Sequence, residues 1–166
     1  GAFSGEKLVG IAKYTVLPDH TAWLETLRVD PEYQRQGVGR QLYEEFVRLS
    51  HKLNVPSMAM YTGLKNIPSY SLARVFGLDT AGRYREFQLD LAGRTAPAQV
   101  AAFEPVGEEE ACQLLGTLCE KYEHFLIFNR TFMHMNKDIF AAMAREGKVY
   151  IDRESGSFMA FGDRKS

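Results

Sequence analysis

The chain has 166 residues, of which 45% are hydrophobic and 25% are charged, and its formal net charge is -1. This balance is that of a folded globular protein; it excludes a disordered or fibrous chain and provides no overall attraction to nucleic acid or to an anionic membrane. No apolar run approaches the roughly 18 residues of a membrane span, and the first six residues lack the basic and apolar regions of a signal peptide.

The first predicted elements form an antiparallel hairpin. Residues 8–17 are rich in β-branched and aromatic side chains, and a second run of this kind covers 21–29 after a turn at Pro18-Asp19. A glycine-rich segment follows, and apolar residues at helical spacing then predict a helix over 40–53. Three further elements are predicted in this half: a buried strand over 57–62, a helix over 69–76 closed by Gly77, and a strand over 84–91.

The second half is predicted to be rich in helices. Helices are expected over 108–128 and 137–145, followed by a hairpin that pairs 148–151 with 157–161. The two cysteines, Cys112 and Cys119, lie on the first of these helices, about 10 Å apart along its axis, which is too far for a disulfide. We therefore expect two thiols and a reducing, cytoplasmic location.

The segment Gln34-Arg35-Gln36-Gly37-Val38-Gly39-Arg40 joins a predicted strand to a predicted helix. Such a turn presents unpaired backbone N–H groups, reinforced by the helix dipole, to an anion. The two glycines can adopt positive φ and let a pyrophosphate approach the backbone, and Gln34, Arg35 and Arg40 add side-chain donors. The alternative interpretation is a flexible helix start that binds nothing. P-loop and dinucleotide-binding motifs do not match this segment.

Two blocks of the sequence resemble a known family. Leu27-Arg28-Val29-Asp30-Pro31-Glu32-Tyr33, together with the glycine segment, is similar to the strand, bulge, loop and helix start of the GNAT N-acetyltransferase superfamily. Residues 66–78, an asparagine, a short helix and then Phe76-Gly77, resemble its second signature. The resemblance covers about residues 3–91. It implies an α/β (α+β) fold, the GNAT acyl-CoA N-acyltransferase fold, with a mixed, mostly antiparallel sheet flanked by helices.

The resemblance also implies a site for acetyl-CoA as co-substrate. No metal is expected, because the four histidines do not have metal-ligand spacing. Backbone groups where the strand bulges would pair with the pantetheine amides, and N–H groups of the glycine segment would hold the pyrophosphate. The asparagine and the serine of the second block would lie along the pantetheine arm. The cofactor-binding residues implied in this way are Leu27, Val29, Gln34, Arg35, Gln36, Gly37, Val38, Gly39, Arg40, Asn66 and Ser69.

Acetyl transfer to an amine requires a base that works near neutral pH and a proton for the departing thiolate. Glu25 is the candidate base; it lies two residues before Leu27 and is expected on the same face of the strand. The alternative is a glutamate paired with a cross-strand cation. The backbone N–H of Val29 is the candidate oxyanion donor. Many family members have a tyrosine acid where this chain has Ala73, so Tyr70, one helical turn earlier, is the candidate acid, with simple packing as the alternative.

We predict an acetyltransferase that moves an acetyl group from acetyl-CoA to an amine of a small molecule or peptide, with a catalytically silent acyl-CoA-binding domain as the alternative. No nucleic acid, membrane or metal partner is expected, and a homo-oligomer is left open. Residues 1–91 would be a GNAT domain without its first strand and helices, 92–102 a linker, and 103–166 the start of a second GNAT-like unit. The last expectation arises because 103–106 and the two following helices resemble the opening of the family fold. An unrelated helical extension is the alternative.

Overall fold

A computed structural model describes residues 1–85, 90, 92–93, 95, 102–119 and 125–162. The elements of the first half are β1 (Ala2–Ser4), β2 (Lys7–Val16), β3 (Thr21–Val29), a 3-10 turn (Pro31–Tyr33), α1 (Val38–Lys52), β4 (Ser57–Met60) and α2 (Ile67–Val75). Those of the second half are β5 (Phe103–Pro105), α3 (Glu108–Cys119), β6 (Phe125–Phe128), β7 (Thr131–His134), α4 (Lys137–Arg145), β8 (Val149–Asp152) and β9 (Phe158–Ala160).

The first half forms a mixed sheet in the order β1-β2-β3-β4. Strands β1, β2 and β3 pair antiparallel, and β4 joins β3 in parallel. Helix α1 packs on one face, where Tyr43 and Phe46 meet Ala22 and Leu24 of β3 in a buried cluster. The predicted α/β fold, with a mostly antiparallel sheet flanked by helices, is therefore confirmed, as is the hairpin of β2 and β3.

A β-bulge interrupts β3 and changes which residues share a face. Ile11 pairs with Arg28 and Lys13 with Glu25, so Thr26 and Leu27 of β3 lie opposite the single residue Ala12 of β2, and Thr26 has φ of 60°. Because the extra residue reverses the alternation of side chains, Leu27 packs against the clusters under α1. Glu25 instead pairs with Lys13. The expectation that Glu25 and Leu27 share a face is wrong. Side chains two residues apart lie on the same face of a regular strand, but the extra residue of a bulge places them on opposite faces.

Gly10 lets the start of α1 rest directly on β2. A Cβ built at this position would lie 2.8 Å from Val38 Cγ1 and 3.3 Å from Leu42 Cδ1. We predict that Gly10→Ala destabilises the protein by about 1–3 kcal/mol, because a buried helix start has to move. Gly63→Ala is the matched control, since a Cβ there meets nothing within 4 Å. Urea unfolding of the two variants tests this, and equal stabilities would contradict it.

The second half has its own sheet, in the order β5-β8-β9, with antiparallel pairing throughout. Helices α3 and α4 cover it through a core that includes Ala111, Leu115, Phe140 and Val149. The predicted pairing of the two C-terminal strands is confirmed: Val149 lies opposite Ala160 and Ile151 opposite Phe158. The helix predicted over 137–145 is confirmed as well.

The helix predicted over 108–128 is partly wrong. Helix α3 covers residues 108–119, whereas Phe125–Phe128 is strand β6, which pairs antiparallel with β7. The turn between them is Asn129-Arg130, and both residues have positive φ, 47° and 62°. Two such residues form the tight turn that suits a twisted hairpin. The signal was missed because asparagine is followed here by arginine rather than glycine.

Some expectations fall outside the described residues. The strand predicted over 84–91 rests mostly on residues that the structure does not describe, and Tyr84 and Arg85 belong to no strand. Most of the predicted linker 92–102 is likewise not described.

In the described ranges, no helix has the length and apolar character needed to cross a membrane. The Cys112 thiol is partly buried and lies 3.5 Å from the backbone oxygen of Lys137.

Candidate functional site

The N-terminus of α1 presents unpaired backbone donors to solvent. Gly37, with φ of 88°, is the capping residue, and Gln41 N–H donates to its carbonyl oxygen over 3.0 Å. The preceding N–H groups of the first turn therefore have no partner within the helix. Within the part of the chain that the structure describes, no side chain caps this end. The geometry is that of an anion site, with the helix dipole adding positive potential.

The loop that leads to this helix is fixed by ionic and backbone contacts. Asp30 accepts from the N–H of Glu32 over 3.0 Å, and Lys7 Nζ lies 3.2 Å from a carboxylate oxygen of each of these two residues. The backbone hydrogen bond from Glu32, followed by that from Lys7, lowers the pKa of Asp30. The hydrogen bonds from Lys7 to Asp30 and Glu32 raise the pKa of Lys7. These contacts tie the loop to the start of β2.

The two glutamines of the segment are engaged within the loop. Gln34 Nε2 donates to the backbone oxygen of Val29 over 3.2 Å, and Gln36 Nε2 donates to that of Glu32 over 2.7 Å. Their side chains brace the turn, which also contains Arg35 at φ of 59°. The backbone N–H of Gln34 also donates within the loop, to the Pro31 oxygen over 3.4 Å, so a ligand would have to compete for this donor.

The two glycines have different structural roles. Gly37 has a left-handed φ, and a Cβ there would meet nothing within 4 Å, so its conformation is what requires glycine. A Cβ at Gly39 would lie 3.3 Å from Leu72 Cδ2 and 3.9 Å from Leu27 Cδ2. Gly39 therefore allows α1 to approach α2, and the space it leaves open faces the protein core.

The arginines of the segment lie on the surface. Arg35 is exposed, and Arg40 Nε lies 3.1 Å from Glu44 Oε1, one helical turn further on. Both side chains of this pair are more than half exposed. Exposed pairs of this spacing contribute about 0.3–0.5 kcal/mol, so Arg40 can exchange the glutamate for a phosphate at little cost.

The second block places its residues at the start of α2. Asn66 is the N-cap, and its Oδ1 accepts from Ser69 N–H over 3.3 Å. Tyr70, 45% exposed, and the buried Ala73 both line one cavity beside β4, so the structure places them on one side of α2 as expected. The asparagine therefore has a structural role in capping, in addition to any role toward a ligand.

Glu25 has a cation beside it. Its carboxylate oxygen lies 2.7 Å from Lys13 Nζ on the neighbouring strand, and its side chain is 20% exposed. This is the cross-strand pairing that was the alternative to a base. The structure thus brings the cofactor-binding candidates to one side of the bulge and the candidate base to the other face of β3.

Sequence reasoning missed a cavity of about 650 Å³ beside β4. Its walls come from β3, β4, α2, the segment that follows α2, and the β6–β7 hairpin. The cavity was missed because the β6–β7 hairpin was missed. Only the alternation of apolar and polar residues and the turn at Asn129-Arg130 could have indicated this hairpin.

Among the described residues, no group of three or more histidine, cysteine, aspartate or glutamate side chains is placed to hold a metal ion.

Residues 1–78 match the model of the acetyltransferase (GNAT) family. This part of the chain is thus similar to GNAT acetyltransferase domains, and its mixed sheet and glycine loop agree with that similarity. No curated protein matches the chain significantly.

Several solved structures are similar over part of the chain. The ribosomal-protein-S18-alanine N-acetyltransferase from Escherichia coli is 31% identical, with a TM-score of 0.42, over 45% of this chain and 48% of that one. Aminoglycoside N-acetyltransferase AAC(6')-Iy, determined with CoA, is 21% identical with a TM-score of 0.48, over 54% and 72%. The IAA acetyltransferase from Bacillus cereus ATCC 14579 is 14% identical with a TM-score of 0.43, over 80% and 68%. The chain thus spans about half the length of the first of these proteins.

Proposed function

We propose that the protein binds acetyl-CoA and transfers its acetyl group to an amine of a small molecule or peptide. The observation that supports this most strongly is the open N-terminus of α1, with Gly37 in the left-handed conformation, directly after a bulged strand in a domain similar to those of the GNAT family. A helix start of this kind suits a pyrophosphate. The bulge at Thr26 exposes backbone groups that a strand-like pantetheine arm can pair with.

The proposed cofactor site uses backbone and side-chain donors together. N–H groups from residues 34–39 would hold the pyrophosphate, with Arg35 and Arg40 beside it as charged donors. Leu27 and Val29 would pair with the pantetheine amides through their backbone, and Asn66 and Ser69 would lie along the same arm. The side-chain amide of Gln34 already donates to the Val29 oxygen, so the pairing requires this contact to be exchanged or shared.

In the proposed reaction the amine nitrogen bonds to the acetyl carbon and the carbon–sulfur bond breaks. Glu25 takes the proton from the amine, directly or through a water, after its contact with Lys13 opens. The N–H of Val29 stabilises the developing oxyanion. The thiolate of CoA leaves and is protonated by Tyr70 or by solvent, because Ala73 offers no acidic hydrogen.

One set of observations favours a second candidate function, a catalytically silent acyl-CoA-binding domain. Glu25 is held by Lys13 at 2.7 Å, and Ala73 is buried where many members of the family carry a tyrosine. Both features weaken the chemistry and leave the cofactor site untouched.

Release of CoA thiol from acetyl-CoA, followed over a panel of arylalkylamines, peptides and aminoglycosides, tests the proposed transfer. We expect release above the rate of hydrolysis with at least one class of amine. Binding of acetyl-CoA without release for any amine would support the silent domain, and absence of binding would contradict both functions.

A further inference from the structure

The cavity beside β4 is formed jointly by the two halves of the chain. Strand β4 has β3 on one side only within the described sheet, and the cavity lies along its other edge. Ser57–Met60 and α2 form one wall, and Phe125, Phe132 and His134 of the β6–β7 hairpin form the opposite wall. The hairpin is fixed to the first half, because His134 N–H donates to Asp19 Oδ2 over 2.7 Å.

Aromatic rings dominate the walls that the hairpin completes. The Phe132 ring centroid lies 4.7 Å from that of Tyr84, 5.8 Å from Tyr61 and 6.1 Å from Trp23, and the last two pairs are stacked. Phe125 meets Phe132 edge-on at 6.4 Å. Stacked and edge-on rings at these distances form surfaces that hold a further flat ring well. Their faces also attract an ammonium group.

The charges of the cavity exclude a polycationic ligand. Of the described residues that line it, the only acid is Asp79, which is paired with Arg74. A ligand with several ammonium groups would require several carboxylates. A ligand with one amine and an aromatic body would instead place its ring and its ammonium group against the aromatic walls, and it would bring only one positive charge near Arg83, which also lines the cavity.

We infer that this cavity binds the acyl acceptor and that the acceptor is a small arylalkylamine. This inference rests on the proposed acetyl transfer, and it is linked to that chemistry because Tyr70, the candidate acid, and Ala73 line the same cavity. The C-terminal half therefore contributes to acceptor specificity through Phe132. The hairpin acts as a wall of a site whose cofactor loop lies in the other half.

Trp23 provides a direct readout, since it is the single tryptophan of the chain and lines the cavity. Tyramine is titrated into the full chain without acetyl-CoA while tryptophan fluorescence is recorded. We expect a saturable change, and Phe132→Ala is expected to weaken tyramine binding by at least about tenfold through loss of ring contacts. Phe161→Ala is the matched control: it is half exposed, contacts Tyr150 and does not line the cavity, so binding should be unchanged.

A second variant covers the case in which Phe132→Ala does not fold. Tyr61 is 42% exposed and stacks on Phe132, so Tyr61→Ala removes one wall of the cavity at its rim. The inference is overturned if tyramine gives no saturable change, if spermidine binds more tightly than tyramine, or if a folded wall variant binds like the Phe161→Ala control. If tyramine binds but no CoA thiol is released, the transfer reaction is contradicted and the binding site is not. If an amine supports thiol release but does not change the fluorescence of Trp23, the binding site is contradicted and the transfer reaction is not.

Discussion

The Glu25→Gln variant is expected to turn over roughly 10²–10⁴-fold more slowly than the wild type, because the amide cannot accept the proton of the amine. Its affinity for acetyl-CoA should change little, since Glu25 lies on the face of β3 opposite to Leu27. Tyr70→Phe is expected to have a smaller effect, because a CoA thiolate can leave and be protonated by solvent. The measurement is steady-state thiol release with the best amine of the panel, together with calorimetric binding of acetyl-CoA.

Lys13→Gln is the matched control for the ion pair. It removes the cation that lies 2.7 Å from Glu25 and leaves the carboxylate in place. If Glu25 is the catalytic base, turnover should therefore change little in this variant. If Glu25 serves only to pair with Lys13, the two glutamine variants should have similar, small effects on turnover. If Tyr70→Phe proves more damaging than Glu25→Gln, the roles assigned to these two residues are reversed.

Charge reversal at the start of α1 is expected to have the largest effect on cofactor binding. Arg40→Glu should raise the Kd for acetyl-CoA by about 10²-fold or more, because a charge-assisted hydrogen bond of about 1.5–3 kcal/mol is replaced by repulsion. Arg48→Glu is a close control, since Arg48 is an exposed residue of the same helix that also pairs with a glutamate one turn away. Calorimetric titration of the two variants at one ionic strength makes the comparison.

The control has the same change of net charge as the variant at the site. Equal losses of affinity in Arg40→Glu and Arg48→Glu would mean that only the overall charge of the protein matters, and the pyrophosphate would then not lie at the start of α1. A loss confined to Arg40→Glu is the expected result, because exposed charges are screened over about 10 Å at 0.1 M salt and the two positions lie about two turns apart.

Most elements of the first half could be predicted from the sequence because their signals are local. The apolar spacing of α1, the β-branched run of β2 and the turn at Pro18-Asp19 each act within a few residues. The glycine segment was predictable for the same reason, since a strand, a glycine turn and a helix are contiguous. Asn66 was identified through a resemblance, and the structure adds that it caps α2.

Features that depend on distant partners could not be predicted. The bulge at Thr26 is defined by the register with β2, and it separated Glu25 from the face of Leu27. The cation at Lys13 was expected only as an alternative, because cross-strand neighbours follow from register. The aromatic cavity brings Trp23 and Phe132 together from opposite halves of the chain. The first strand of its hairpin, β6, lies inside the segment 108–128 that favoured a helix.

The interpretation of residues 103–166 as the start of a second GNAT-like unit stays a prediction. It is supported by β5, α3, α4 and the β8–β9 hairpin, which follow in this order with the β6–β7 hairpin between the two helices, and by the sheet that β5 forms with β8 and β9. Gly5 and Gly156, both with positive φ, occupy the turns of the two hairpins whose sequences resemble each other. A crystal structure in which β5 did not pair with β8 would contradict this interpretation and favour an unrelated extension.

The melting temperature of the full chain with and without acetyl-CoA tests the central claim most directly. A ligand that binds only the native state stabilises it by about 2.7 kcal/mol at a concentration of 100 Kd. We expect the melting temperature to rise progressively with acetyl-CoA in the wild type and in Arg48→Glu, with the rise largely lost in Arg40→Glu. A melting temperature that does not respond to acetyl-CoA, or that rises equally in Arg40→Glu, would contradict the assignment of the cofactor site.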